Sequence, residues 1–173
     1  TSINMDHLQW IKNKTVEGII HEKTVKLLNS KIFVSRQENK EIALKIKHAL
    51  KNNKSEKYFY GKHFNYLPAE NNFILYEDLK GNLILPPPNI LGEHQLDNIS
   101  AAIIAARNLF NIQDEGIKKA ITNIELKGRL QEIKSGKLKK LVKKNRLIID
   151  GAHNIGSSKV LSKWVENLNE NVH

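Results

Sequence analysis

The 173-residue chain contains no cysteine, which excludes disulfides and thiolate metal sites and fits a cytoplasmic protein. No run of 18 apolar residues is present, so no segment reads as a membrane helix, and no basic-then-apolar leader opens the chain. Aromatic residues make up only 6% of the sequence. None is interleaved with the densest basic run, 134–146, as stacking platforms for nucleic acid require. Arginine is scarce too: the net charge of +10 comes mostly from lysine, scattered among asparagine and isoleucine. That mixture is what AT-rich codon usage produces, so the charge is weak evidence for a nucleic-acid partner. The phosphate-cradling pattern Gly-x-x-x-x-Gly-Lys-Ser/Thr is also missing.

What is present suffices for a globular core, with 40% hydrophobic residues in a length of one ordinary domain or one and a fragment. Thr1 rather than Met opens the sequence, so the chain is expected to begin inside a longer reading frame. Apolar spacing predicts a helix in 15–29, a short buried strand at 31–35 and an amphipathic helix over 38–52. Helix, strand, helix is the rhythm of a parallel sheet. Between Tyr58 and Leu85, short apolar runs alternate with turn signals such as Pro68, Asn71-Asn72 and Lys80-Gly81-Asn82, which predicts an antiparallel meander. Pro86-Pro87-Pro88 closes it, because prolines cannot pair within a sheet.

A long helix follows over 95–111, with Ala101-Ala102 and Ala105-Ala106 spaced for close packing, and a second over 114–124. Gly128-Arg129 reads as a joint. A charged hairpin spans 134–146, then a strand at 147–149 and a last helix over 156–168. That strand ends in Asp150-Gly151-Ala152-His153-Asn154, and polar residues at the carboxyl end of a strand are where ligands sit in open α/β sheets. The plainer alternative is a turn with Asn154 or Ser157 capping the helix and His153 merely exposed.

Four pieces stand in order: Asp6-His7 in "TSINMDHLQW", Glu22-Lys23 in "HEKTVKL", "LGEHQLDNISAA", and "KGRLQ" followed by "IIDGAHNIG". Together they resemble folylpolyglutamate synthase/dihydrofolate synthase of the Mur ligase superfamily. The Gln of "GEHQLDN" and the "DGAHN" sequence are similar to the folate branch. The resemblance runs from residue 1 to about 165 and covers only the middle of that family's length.

The resemblance implies an α/β chain. Residues 1–127 would form the C-terminal half of a P-loop ATPase domain with a small antiparallel insertion. Residues 128–173 would form the hinge and the first strand-helix unit of a Rossmann-like domain. It further implies an ATP-dependent ligase that adds L-glutamate to a folate or dihydropteroate through an acyl phosphate, with ATP and Mg²⁺ required. His7 and Lys23, the latter carbamylated, would hold a metal. Neutral imidazole is a competent ligand, although Mg²⁺ prefers oxygen. Gln95 and Asn98 would lie against adenine, whose edge needs a group that donates and accepts at once. Capping of the helix by Asp97 or Asn98 is the other reading of that stretch.

Arg129 would reach the phosphates, for which a guanidinium fork is suited. Asp150 would lie on the ribose side and His153 near the phosphates. Lys23 and Arg129 are thus the candidate catalytic residues. The pattern departs from the family in three places: the loop 11–15 is one residue longer, Thr24-Val25 replaces Ala-Gly, and Ile155 replaces Pro. A monomer acting on small molecules, with no membrane or nucleic-acid partner, is expected. The alternatives are a non-catalytic remnant, or a basic module acting through 134–146.

Overall fold

The computed structural model describes residues 2–5, 11, 13–168 and 172. Helix α1 (Val16–Thr24) is capped by Thr15, whose side chain accepts from the Gly18 amide, and buries Ile19 and Ile20. It ends early, before the apolar positions Val25, Leu27 and Leu28. Strand β1 (Ile32–Val34) leads to α2 (Lys40–Ala49), where the Asn39 side chain accepts from the Glu41 amide. Strand β2 (Lys57–Phe59) lies parallel to β1, Ile32 opposite Lys57 and Val34 opposite Phe59. Together α1, α2, β1 and β2 enclose a first core of Ile3, Ile19, Ile20, Ile32, Ile46 and Leu50.

The parallel pairing of β2 corrects the sequence expectation. Tyr58 and Phe59 do not belong to the meander; they extend the parallel pair. Alternation marks a strand but not its partner, and the partner here lies 25 residues upstream. The meander proper is β3 (Phe64–Pro68), β4 (Ile74–Asp78) and β5 (Gly81–Leu85), all antiparallel. Between β3 and β4, Asn71 and Asn72 adopt positive φ of 55° and 62°, which asparagine tolerates best among residues with a side chain. Between β4 and β5 the Asp78 carboxylate accepts from the Lys80 amide, and Gly81 takes a φ of 114°.

Helix α3 (His94–Leu109) packs on this sheet through Ile99, Ser100, Ile103 and Ile104. Of the alanines spaced for close packing, Ala101 packs against this core, Ala105 and Ala106 are half-buried, and Ala102 is exposed. The branched isoleucines remove more apolar surface from water than alanine can, and they take the core face. Helix α4 (Asp114–Thr122) adds Ile117 and Ile121 to the same core.

Beyond it, β6 (Gln131–Glu132) and β7 (Ile148–Ile149) pair antiparallel, Gln131 opposite Ile149. The charged stretch between them is not a plain hairpin loop. It folds a short helix, α5 (Lys137–Leu141), with Leu138 and Leu141 exposed. Lys139 Nζ donates to the carbonyls of Lys143 and Asn145 and closes that loop. Helix α6 (Ile155–Glu166) follows β7 and begins with a capping box between Asn154 and Ser157.

Candidate functional site

A cleft of about 720 Å³ opens where three parts of the chain meet. One wall is formed by residues 2–5 and 37–39 with Val16 of α1. The second is the first turn of α3, and the third is the joint at 129–130 with Asp150 and the start of α6. Among the described residues this cleft gathers Gln95, Asn98, Arg129 and Asp150 from segments up to 55 residues apart.

The first turn of α3 places its side chains through the turn that precedes it. Gly92 has a φ of 96°, and a Cβ there would lie 2.6 Å from the His94 ring. The helix therefore starts at His94, with Glu93 at the cap position and no side-chain cap. Asp97 and Asn98 sit inside the helix, so neither caps it. Gln95 is only 4% exposed. Its Nε2 lies 2.8 Å from His94 Nε2, and its Oε1 accepts from Asn98 Nδ2 at 3.1 Å.

Asp97 accepts from the Tyr66 hydroxyl at 2.8 Å, and Arg36 donates to the same hydroxyl at 3.4 Å. Burial pushes the Asp97 carboxyl above its ordinary range, partly offset by the Tyr66 bond. Burial likewise pushes the Tyr66 hydroxyl up to about 12, with the Asp97 bond adding to it. His94 is pulled below the ordinary histidine value, again chiefly by burial.

The opposite wall is organised by Asp150. One carboxylate oxygen accepts from the Leu130 amide at 2.8 Å and the other from Ala152 at 2.7 Å. The Gly151 amide donates to Gly128 O at 2.8 Å, closing a clasp across the joint. Leu130 is 3% exposed and carries a φ of 44°. A left-handed conformation costs a leucine roughly 1–2 kcal/mol. The Asp150 bond and the burial of the side chain hold it there. Gly128, at a φ of 68°, supplies the matching turn without that cost. Arg129 stands exposed between these two residues at the cleft wall.

Two expected site residues lie outside this cleft. His153 is exposed on a separate shallow depression with Ile155 and Ser158, its Nδ1 2.7 Å from Gly151 O. Lys23 is exposed in the last turn of α1, whose contribution to the cleft is Val16 at the other end. His7 lies outside the described residues. Among the described residues no three His, Cys, Asp or Glu side chains cluster as a metal site requires. The capping reading of Asn154 is correct as far as it goes, and Asn154 also lines the cleft.

Sequence reasoning missed His94 and Gln37, and named Asp97 only as a possible cap. His94 had a signal, since it adjoins Gln95 in "GEHQLDN". Gln37 had none: its side chain meets the Ile3 amide at 2.8 Å across 34 residues of chain.

No family model matches the chain, and no curated protein matches it. Solved structures do. Against E. coli FolC in complex with DHPP and ADP the TM-score is 0.79 at 24% identity, covering 99% of this chain and 38% of that one. An FPGS–AMPPCP–folate complex gives 0.79 at 17% identity, covering 99% and 42%. Mycobacterium tuberculosis folylpolyglutamate synthase complexed with ADP and AMPPCP gives 0.74 at 18%, covering 96% and 38%. The chain thus has the mixed α/β fold of a stretch of these synthases and spans about two-fifths of their length.

Proposed function

We propose that these residues belong to an ATP-dependent ligase that joins L-glutamate to a folate or dihydropteroate through an acyl phosphate. The observation that carries this reading is the cleft itself. It gathers two amides, a guanidinium and a carboxylate in a fold shared with proteins solved with ADP or AMPPCP. In this reading residues 1–127 are the C-terminal half of a Mur-ligase-type ATPase domain. Residues 128–173 are the hinge and the first strand-helix unit of the domain that closes on it.

Gln95 and Asn98 take the adenine edge. Arg129 offers its fork to phosphate oxygens, and Asp150 holds the hinge that aims it while facing the ribose side. His153 reaches the phosphates only when the α6 unit swings inward. For Mg²⁺ a carbamylated Lys23 would supply oxygen; among the described residues no three His, Cys, Asp or Glu side chains group as a metal site requires. No step is therefore assigned to a metal.

What this chain supplies is placement. Phosphoryl transfer depends on fixed positive groups around the phosphate, and Arg129 is the residue built for that here. The 173 residues hold no phosphate loop, and cooperating groups do not compensate for one another, so turnover of ATP by the chain alone is expected to stay near background. Fusion to a related synthase's phosphate-loop segment and C-terminal domain is expected to produce glutamate-dependent ADP release. In that fusion Arg129→Ala should lower turnover far more than Lys140→Ala, whose side chain lies exposed on α5. Equal, harmless effects of the two substitutions would remove Arg129 from the site.

A further inference from the structure

The first turn of α3 carries a hydrogen-bonded chain of three side chains: His94 to Gln95 at 2.8 Å, and Gln95 to Asn98 at 3.1 Å. An amide nitrogen has only hydrogens to offer, so His94 Nε2 is the acceptor, and the neutral ring carries its proton on Nδ1. Nδ1 is buried and has no hydrogen-bond partner. The ring lies against Gly92, where a Cβ would come within 2.8 Å of Nδ1. No bond at Nδ1 therefore selects the tautomer; the bond to Gln95 does.

The other tautomer would set an N–H of the ring against the Gln95 amide hydrogens. Turning the Gln95 amide over relieves that clash, but it then points its NH₂ at the NH₂ of Asn98. Asn98 must turn as well. The three side chains have two self-consistent settings, and the proton on His94 chooses between them.

We propose that His94 is a positioning residue that sets the donor–acceptor polarity of Gln95 and Asn98, and thereby makes the cleft favour a 6-amino purine over a 6-oxo purine. The proposal rests on the reading of the cleft as a nucleotide site. In the observed setting Asn98 spends an Nδ2 hydrogen on Gln95, and its Oδ1 has no partner among the described residues. That oxygen accepts from an exocyclic amine and repels a 6-oxo group. In the reverse setting Asn98 presents its NH₂, and the preference reverses.

Burial favours the neutral ring, the form that leaves Nε2 able to accept and so permits the observed setting. The charged groups around the ring are Asp150, Asp97 and Glu38, which favour its protonation, and Arg129, which opposes it. A proton gained on Nε2 in acid turns the ring into a donor and drives the amides over.

Two measurements test this. The first needs no nucleotide. In the ¹⁵N-labelled chain, neutral His94 should carry its proton on Nδ1, and the side-chain amide signals of Gln95 and Asn98 should titrate together with the ring. A neutral ring protonated on Nε2, or amide signals that ignore its titration, overturns the inference.

The second measurement titrates ADP against IDP. The chain should favour ADP on the order of tenfold, and the ratio should fall as pH drops through the His94 titration. His94→Phe should bring the ratio near one. His94→Gln, whose Oε1 can accept where Nε2 does, should restore most of it. A ratio unchanged in a folded His94→Phe sinks the role of His94 and leaves the nucleotide reading standing. Failure of both nucleotides to bind at millimolar concentration sinks the nucleotide reading and the selectivity claim with it.

Discussion

Eleven buried residues, Tyr76 among them, form a core shared by β2 to β5, α3 and α4, whereas α6, twelve residues long, buries none. The two regions form opposite walls of one cleft. The wall that carries Gln95 and Asn98 is fixed by Ile99, Ile103 and Ile104 directly beneath it. The wall that carries Arg129 and Asp150 is fixed by a polar clasp, Gly151 to Gly128 and Asp150 to Leu130. Farther out, Lys163 and Glu93 form an ion pair with both side chains mostly exposed, a contact of little strength. Ile155, at the start of α6, is 70% exposed. Few apolar contacts and solvent-exposed hydrogen bonds are the marks of a segment that opens well below the global unfolding free energy. The cleft therefore has one rigid wall, at α3, and one hinged wall, at the joint and α6.

The strongest way to break this contrast is to weaken the rigid wall. Ile104 is 1% exposed in the larger core. Ile104→Ala is expected to lower unfolding stability by about 2–5 kcal/mol, read by denaturant titration. A loss below about 1 kcal/mol would show that the core tolerates a cavity and that the wall is less rigid than its burial implies.

The next effect is smaller and confined to the hinge. Asp150→Ala removes the acceptors of the Leu130 and Ala152 amides and leaves Leu130 unsupported at positive φ. Hydrogen bonds to a charged group contribute about 1.5–3 kcal/mol, so local opening of the joint should become easier by that order. Hydrogen exchange should accelerate at Leu130, Gly151 and Ala152 while the amides of Ile103 and Ile104 keep their protection. Equal acceleration in both regions would mean that the two walls unfold together.

The smallest effect sharpens the comparison by pH. Asp97 belongs to the rigid wall, and its carboxyl is raised when folded, so the folded state binds the proton more tightly than the unfolded one. Its contribution to stability is then largest below the ordinary aspartate value and declines as pH rises through the raised one. His94 has the opposite sign. Its lowered value makes its contribution complete above the ordinary histidine range, and that contribution is lost as pH falls. Asp97→Asn keeps an acceptor for Tyr66 and removes the first of these slopes. Thermal midpoints of this variant should lose the acid-side decline and keep the histidine-linked fall between neutral and mildly acidic pH. A profile identical to that of the parent chain would show that Asp97 titrates as if it were in water.

Local signals made much of the fold legible. Pro86-Pro87-Pro88, Asn71-Asn72 and Lys80-Gly81 bracket the meander. The caps Thr15, Asn39 and Asn154 open three helices within a residue or two of where spacing alone put them. Of the candidate site, Gln95, Asn98, Arg129 and Asp150 could be named in advance because each stands in a short motif. Their meeting in one cleft could not. Nor could the separation of His153 from Asp150: three residues apart, they face different depressions, because the chain turns between them into α6.

The sequence by itself determined where the capped helices and the meander strands begin, because caps, prolines and turn asparagines act within a few residues of backbone. Only the tertiary structure decided that Tyr58 and Phe59 pair with β1, and that Ile99, Ile103 and Ile104 form the buried face of α3. It also decided that Asp150 clasps Leu130 across 20 residues and that His94 lies against Gly92 with a buried nitrogen left over. These depend on which distant surfaces exclude water together, and that choice is made only when the chain packs.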